Sequence, residues 1–499
     1  MKFTIIIPPV TCHNLDPHSG FPFIPHMAAY LAAELNKFSD VQIIDSFSDD
    51  PNNSYLEDNF IFLGLDIKKI VKKINKDSDG IFIYARTVID FKILTLLISA
   101  IKNDLLIPII IFENSQCVDA LSLESVYKEL LLAKADIIIF GEPENRANEI
   151  AALIRNKKYN KEIKGIAHNL LNNKPYYNNN TPFDNEIDKF TFPLWEKWNL
   201  DGYWKINYAH PPIKKKDRFV TLITSRGCPF KCTFCVAPKI NPNWRYRTAK
   251  NVVDEIEYFN KKLNINDFHI SDFNPTINEK RFVEICNEII NRKINITWKV
   301  AQGTKIETIK NNSTIDLFYR SGCRFLSFSP ESGSERIMHN VIKKPFNYEF
   351  ALEKTKIFKK NNIRTQACFV IGMPGEDKYD RKLSLKFMIK LAKAGLDEVA
   401  CYIITPVPGS KIFDQITGYS NLSECSHTPI WRKDIKELLL FRKKFYLTFL
   451  IIKFVFHPFE FLRICYALLS RNFETKMEMS LYKKYKLYKL YLQAKYKTN

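Results

Sequence analysis

Cys228, Cys232 and Cys235 stand in the run Cys-Pro-Phe-Lys-Cys-Thr-Phe-Cys, short enough to lie on one loop. Three thiolates so spaced can hold three irons of a four-iron cluster and leave the fourth iron without a protein ligand. An iron with a vacant position can bind and activate another molecule. A structural zinc wants four protein ligands, and no second Cys-x-x-Cys or His-x-x-x-His follows to complete such a site. Chance is the alternative. With eleven cysteines in 499 residues, both offsets coincide at some cysteine on the order of one time in two hundred.

The other eight cysteines (12, 117, 286, 323, 368, 401, 425 and 465) are scattered through apolar or mixed sequence, in no disulfide-framework pattern. Most of them read as inert core thiols. The opening Met1-Lys-Phe-Thr-Ile-Ile-Ile-Pro-Pro reads as a short strand stopped by prolines and not as a signal peptide. The expectation is a reducing, cytoplasmic compartment.

Two series of elements must position the cysteines. Over residues 1–155, apolar strand-like runs at 3–7, 41–44, 80–84, 107–112 and 136–140 alternate with helical patterns at 27–36, 67–75, 91–103 and 121–133. That order means a parallel sheet covered by helices on both faces. Its ligands belong beyond the carboxyl ends of the strands. Those ends carry Pro8-Pro9, Ala85-Arg-Thr, Glu113-Asn-Ser and Gly141-Glu-Pro-Glu. No Gly-x-Gly-x-x-Gly or Walker loop supports a dinucleotide or nucleoside triphosphate site. Residues 156–215, Asn/Pro-rich and polar, read as a linker with little regular structure. A second domain, 216–420, has strand-like runs at 219–224, 267–270, 297–301, 325–329, 364–371 and 398–404. Six such units make an open, partial α/β barrel, with its chemistry again at the carboxyl ends.

Hydrophobic residues at 46% and charged residues at 26% exclude a mainly disordered chain and fit two or three globular domains. Net charge is +20, and residues 432–499 hold sixteen Lys/Arg against five Asp/Glu. So local an excess suggests an acidic partner such as an anionic membrane surface or nucleic acid; an AT-rich genome would explain Lys usage overall but less well its concentration at the end.

In order along residues 1–420, the motifs resemble the cobalamin-binding subgroup of the radical S-adenosylmethionine (SAM) superfamily. Ile7-Pro-Pro, Met27-Ala-Ala-Tyr-Leu-Ala-Ala-Glu-Leu and Ile43-Ile-Asp are similar to its opening strand, helix and second strand. The segment 136–144, with Gly-Glu-Pro-Glu, is similar to a later strand end, and 245–256 to the helix after the cysteine loop. Phe268-His-Ile-Ser-Asp-Phe-Asn-Pro-Thr, Pro330-Glu-Ser-Gly-Ser, Ile371-Gly-Met-Pro-Gly-Glu and Pro406-Val-Pro-Gly-Ser resemble signatures of its barrel strands. The resemblance implies a Rossmann-like, cobalamin-binding-type α/β domain, then a partial (β/α)6 radical SAM barrel.

It also implies a [4Fe-4S] cluster on Cys228, Cys232 and Cys235. The methionyl amine and carboxylate of S-adenosyl-L-methionine would chelate the open iron. Reduction by a one-electron donor such as ferredoxin or flavodoxin would release a 5′-deoxyadenosyl radical that abstracts hydrogen from an unactivated carbon. Carried over residue by residue, Phe234 stands beside adenine and Asp272 meets the amine. Glu331, Ser332 and Ser334 would bond ribose and carboxylate, and Gly372 and Gly375 would let backbone approach adenine. Each also has a plain structural reading: a packed aromatic, a strand-end turn, helix caps and turn glycines. Pro8, Arg86, Thr87, Glu113 and Gly141 occupy strand ends where cobalamin would lie. The Asp-x-His-x-x-Gly motif that supplies a lower cobalt ligand is not present. His13, His18 and His26 are expected to face solvent or cap structure.

Residues 421–499 read as a basic, aromatic helical extension. The run 445–456 is too short to span a bilayer, which needs ~20 apolar residues. With Arg442, Lys443 and Lys444 before it, 438–470 reads either as an interfacial helix or as helices packed on the barrel's open side. Tyr482, Tyr485, Tyr488 and Tyr491, interleaved with Lys483, Lys484, Lys486 and Lys489, fit a membrane-surface helix or a solvated terminus.

The activity expected is methyl transfer from methylcobalamin to a substrate carbon, on a lipid, isoprenoid or tetrapyrrole, at the inner face of the membrane or in the cytoplasm. The alternatives are oxidative cyclisation or rearrangement, tRNA modification, and a non-catalytic cobalamin or redox sensor. A tRNA methylthiotransferase would carry a second amino-terminal cysteine set, but only Cys12 and Cys117 precede the triad; a nucleic-acid partner is not expected.

Overall fold

The structure is a computed structural model that describes the chain apart from residues 14–15, 17, 157–162, 172–173, 207–216 and 483–499. The first ten strands are β1 (Lys2–Ile7), β2 (Val10–His13), β3 (Asp40–Asp45), β4 (Ser54–Glu57), β5 (Phe60–Leu63), β6 (Gly80–Ala85), β7 (Ile109–Glu113), β8 (Ile137–Ile139), β9 (Ile166–Leu171) and β10 (Lys174–Asn178). Seven of them form one sheet in the order β10-β9-β8-β7-β6-β1-β3. From β3 to β8 the pairing is parallel. These strands are near-continuous isoleucine and phenylalanine because both faces are buried under helices; Ile5, Ile6, Ile83 and Ile110 have no exposed surface.

Three expectations are corrected. The stretch 156–215 is not an unstructured linker: β9 pairs antiparallel with β8 and β10 with β9, extending the first sheet. Further on, Trp198 Nε1 and Tyr203 OH each donate to Asp45 at 2.8 Å, so aromatic anchors bind the polar segment into the first domain. Second, β2, β5 and β4 form a small antiparallel sheet that the prolines at 8–9 obscured. Third, His13 and His26 are buried, and burial lowers both imidazole pKa values, that of His26 to about 3.

The second half contains β11 (Phe219–Leu222), β12 (Ser225–Arg226), β13 (Arg245–Tyr246), β14 (Asp267–Ile270), β15 (Thr297–Thr304), β16 (Cys323–Glu331), β17 (Arg364–Ile371) and β18 (Glu398–Ile403). The sheet β11-β14-β15-β16-β17-β18 runs in chain order and is parallel throughout, an open partial barrel. Its helices start where side chains satisfy their first free amides: Thr248, Asn278, Asn347 and Asp377 each accept from the backbone three residues on.

The helix Ile435–Phe456 buries Leu438, Arg442, Phe445, Phe449 and Lys453 against the helix Lys378–Lys393 and β18. This is the packed arrangement for 438–470. After the helix Pro458–Ser470, the chain returns to the amino-terminal end of the barrel. There Glu474 pairs with Arg364 at 2.5 Å and the Met477 amide donates to Glu398 at 2.8 Å, while Lys476 Nζ reaches the Ala301 carbonyl in the middle of β15 at 3.3 Å. Tyr482 is described; Tyr485, Tyr488 and Tyr491 and the lysines among them lie outside the described residues. Among the described residues no helix is long and apolar enough to cross a membrane.

Candidate active site

The cysteine loop leaves β11 through the two-residue ribbon β12–β13. Gly227 turns the chain with φ +73°, and a Cβ there would overlap the Asn243 carbonyl. The Cys228 amide then bonds the Asn241 carbonyl at 3.2 Å. At the tip, the Thr233 amide and hydroxyl bond the carbonyls of Ile342 (3.1 Å) and Val341 (2.8 Å), and the Thr233 carbonyl accepts from Ile412. The Ala237 amide points at Cys235 Sγ from 3.3 Å, a donor suited to a thiolate.

The three thiols are half-buried and electrostatically coupled. Burial pushes all three pKa values up, that of Cys232 to about 11, while the Lys344 ammonium opposes this at Cys228 and Cys232. Among the described residues no three His, Cys, Asp or Glu converge as the ligands of a single ion do. Three cysteine thiols on one loop match in number the three corners of a four-iron cube that such a loop would hold.

Phe234 packs on an apolar group formed by Ile337, Met338, Val370 and Met373. Asp272, 1% exposed, accepts from the Thr224 amide (2.8 Å), the Thr224 hydroxyl (2.6 Å) and the Ser225 hydroxyl (2.6 Å), tying the end of β14 to that of β11. Burial raises its pKa against those bonds and the nearby Arg281 charge. Glu331 ends β16 with φ +57° and pairs with Lys344 at 2.7 Å. Ser332 Oγ lies 3.2 Å from Ser384 Oγ, and Ser334 Oγ donates to Asp380 at 2.6 Å, so both serines fasten the loop to the helix Lys378–Lys393. Gly372 and Gly375 both have positive φ, but their surroundings differ. Leu438 and Arg432 crowd Gly372, whereas nothing lies within 4 Å of a Cβ at Gly375.

At the carboxyl ends of the first sheet, most of the named side chains are engaged within the protein. Arg86 pairs with Asp90 at 3.1 Å and donates to the Pro9 carbonyl, and the Thr87 hydroxyl donates to Asp90. Glu113 accepts from the amides of Leu123 (2.8 Å) and Gly141, and burial raises its pKa to about 7. Gly141 is closed over by Thr181, and Pro8 is buried. Arg86 NH1, the whole Gln116 amide and Ser410 Oγ are nevertheless buried without hydrogen-bond partners. Arg86 and Gln116 follow the ends of β6 and β7, and a buried polar group without a protein partner is open to a bound ligand or water.

Several site roles escaped the sequence reading. Glu142 and Glu144 do not face the end of their own sheet; they pair with Arg226 and Arg245 on the stem of the cysteine loop. The Val236 amide bonds the Val118 carbonyl at 3.4 Å, and Ala120 and Cys117 pack with Val236 and Ile240. The loop after β7 therefore rests directly on the cysteine loop. His427 Nε2 stands 3.5 Å from Asp119 and its ring 4.9 Å from Tyr402 on β18. Burial opposes its charge, but Asp119 raises its pKa. His427 and Asp119 keep 30% and 25% of their side-chain surface exposed, and Ser329, Cys368 and Tyr402 near the strand ends are also partly open. Among mostly buried neighbours, these mark the open side of the junction. Only Gly-Glu-Pro-Glu had a local sequence signal.

Residues 222–388 match the radical SAM superfamily model. Over that third of its length the chain carries a radical SAM domain. It is 24% identical over 446 residues to an uncharacterized methyltransferase of Pyrococcus horikoshii, covering 87% of this chain and 86% of that one. It is 29% identical over 234 residues to cytidylyl-2-hydroxyethylphosphonate methyltransferase of Streptomyces wedmorensis, covering 46% and 43%. It is 26% identical over 286 residues to the anaerobic magnesium-protoporphyrin IX monomethyl ester cyclase of Rubrivivax gelatinosus, covering 56% and 49%. The last two matches thus span under half of those relatives. The fold is that of the methyltransferase TsrM from Kitasatospora setae, solved with cobalamin and a [4Fe-4S] cluster (TM-score 0.64, 14% identity, 83% of this chain and 74% of that one). It is also that of OxsB, solved with aqua-cobalamin and S-adenosylmethionine (TM-score 0.59, 18% identity, 89% and 56%). As a radical SAM enzyme, the chain works with a [4Fe-4S] cluster and S-adenosyl-L-methionine.

Proposed function

We propose that this radical SAM enzyme uses cobalamin to methylate an unactivated carbon of a small organic substrate. The carrying observation is the contact between the two sheets' working ends: the Val236 amide of the cysteine loop bonds the Val118 carbonyl beyond β7. A molecule in that junction meets the cysteine loop on one side and the first sheet's strand ends on the other. In this reading Cys228, Cys232 and Cys235 hold the cluster. When bound, cluster and S-adenosylmethionine supply a hydrogen-abstracting radical and cobalamin supplies a methyl group.

The chain's own residues hold and orient. Lys344 neutralises Glu331 beside the cysteines, and Phe234 and the open Gly375 offer an apolar wall and a backbone edge to adenine. Asp272 is assigned to the amine through whatever acceptor capacity its three bonds leave. Cobalamin is supported by the shared fold of TsrM and OxsB and by the unpartnered Arg86 NH1 and Gln116 amide. Pro8, Thr87, Glu113 and Gly141 then shape its bed mainly through backbone. The substrate class inferred is lipid, isoprenoid or tetrapyrrole; relatives named for magnesium-protoporphyrin and bacteriochlorophyllide support the last. Ferredoxin or flavodoxin is the electron donor inferred.

Anaerobic purification with cobalamin supplied tests the reading. About four irons per chain, bound corrinoid and reductive formation of 5′-deoxyadenosine are expected. Iron without corrinoid would defeat the cobalamin assignment; corrinoid with no S-adenosylmethionine turnover would favour a sensor. Ring closure, favoured by the match to the cyclase, would yield a product lacking the added methyl group.

A further inference from the structure

The helices Ile435–Phe456 and Pro458–Ser470 form a hairpin, broken where His457 leaves helical geometry and Pro458 restarts the chain. One face is fully engaged with the barrel. Phe445 meets Phe369 with ring centroids 5.1 Å apart, Lys453 Nζ donates to the Leu396 carbonyl at 3.0 Å and pairs with Glu460, and His457 Nε2 lies 3.1 Å from the Ala392 carbonyl. The opposite face is apolar and bare. Leu447, Ile451 and Val455 lie on one stripe of the first helix and Phe459, Leu462, Tyr466 and Leu469 on one stripe of the second, with exposures of 50–85%. Monomeric soluble proteins rarely leave so continuous an apolar face to water.

Charge selects the occupant. Lys443 and Lys444 are exposed at one end of the stripe and Arg471 at the other. Between residues 440 and 472 the sole acid is Glu460, which Lys359 and Lys453 hold in ion pairs. The terminal 483–499 adds six lysines and no acid in sequence. A second copy placed on this face about a two-fold axis would bring like charges together. An anionic bilayer complements the basic ends and takes the apolar stripe into its interface, as monotopic amphipathic helices do. We propose that this hairpin is a monotopic docking surface for anionic lipid membranes. The proposal goes beyond the methyl-transfer reading and does not depend on it.

The test uses the full-length, anaerobically purified enzyme and a variant carrying Leu447→Glu, Ile451→Glu, Phe459→Glu and Leu462→Glu. All four positions are exposed, so iron content and circular dichroism should match wild type and certify the variant's fold. Sedimentation with vesicles of phosphatidylcholine, with or without phosphatidylglycerol, is the readout. Expected are at least tenfold stronger partitioning onto the anionic vesicles, weakening with salt, and a tenfold or greater loss in the variant. Equal partitioning of the two proteins would overturn the proposal, as would binding lost only when 483–499 is removed. A wild-type dimer that the variant abolishes, without vesicle binding, would assign the face to self-association instead. Should the quadruple variant misfold, Phe459→Ser with Leu469→Ser decides the same question on the second helix alone. Failure of the methyl-transfer reading would appear in iron, corrinoid or turnover and leave vesicle binding unchanged.

Discussion

Glu142 and Arg245 form a two-pronged ion pair across the boundary between the two sheets, with NH1–Oε2 at 3.1 Å and NH2–Oε1 at 2.6 Å. Both are buried, and Arg226, two residues before Cys228, shares the charge of Glu142 and Glu144 while stacking between Tyr30 and Phe190. Burial alone would raise the Glu142 pKa; the two guanidinium groups hold it below the ordinary value. Removing one partner leaves a buried charge unmatched. Glu142→Gln should therefore cost about 3–5 kcal/mol of stability. The half-exposed pair Lys239–Glu124, broken by Glu124→Gln, should cost less than about 1 kcal/mol. Anaerobic urea unfolding of both variants makes the comparison, and equal small losses would show that the network does not join the halves.

Acid lability is expected from a buried triad inside the barrel. His269 Nε2 lies 2.9 Å from Asp267, Lys299 also pairs with Asp267, and the His269 ring stacks on Phe219 at 5.0 Å. Burial, aided by the Lys299 charge, lowers the His269 pKa to about 4. The folded state thus refuses a proton that the unfolded chain accepts near pH 6.5. Stability from this group is complete above pH 6.5 and falls as pH drops from 6.5 to about 4, by roughly 3 kcal/mol in total. Burial pushes Asp267 up, but Lys299 and His269 outweigh it and bring its pKa to about 2. Its contribution is present above its unfolded pKa and disappears as pH falls through about 2. His269→Gln should flatten the stability profile between pH 4 and 6.5 relative to wild type. Parallel profiles would show that His269 does not titrate in this way.

Local signals were readable and distant pairings were not. The barrel strands emerged because each has an apolar core with polar or turn residues close by, such as Asn266 before β14, Gly322 before β16 and Gly372 after β17, although β15 and β16 extend to Thr304 and Glu331, beyond their apolar cores. The hairpin β9–β10 stayed hidden because an edge position tolerates Lys, Pro and Asn that a central strand would reject. The cysteines declared themselves by lying within eight residues of one another. Asp119 and His427 meet only through folding, and neither stands in a recognisable motif. Lys344 was equally silent in sequence, because its partner Glu331 is reached across a helical turn and a left-handed residue, Lys343. Gly-Glu-Pro-Glu was visible, but its role in gripping the cysteine loop's stem required Arg226 and Arg245 to be placed.

Gly227 and Gly375 share φ +73° and differ in everything around them. At Gly227 the missing Cβ makes room for the Asn243 and Asn241 carbonyls, the latter being the acceptor that fixes the Cys228 amide. At Gly375 the same space is empty. Alanine pays the left-handed backbone penalty at both sites, about 1 kcal/mol or somewhat more. At Gly227 it must also push the cysteine loop off its stem. Gly227→Ala should consequently lower bound iron several-fold after anaerobic reconstitution, whereas Gly375→Ala should keep its iron and lose only a few degrees of Tm. Iron retained in both variants would mean that the first cysteine is positioned from Thr233 and the loop tip, and that the stem turn does not set the geometry of the triad.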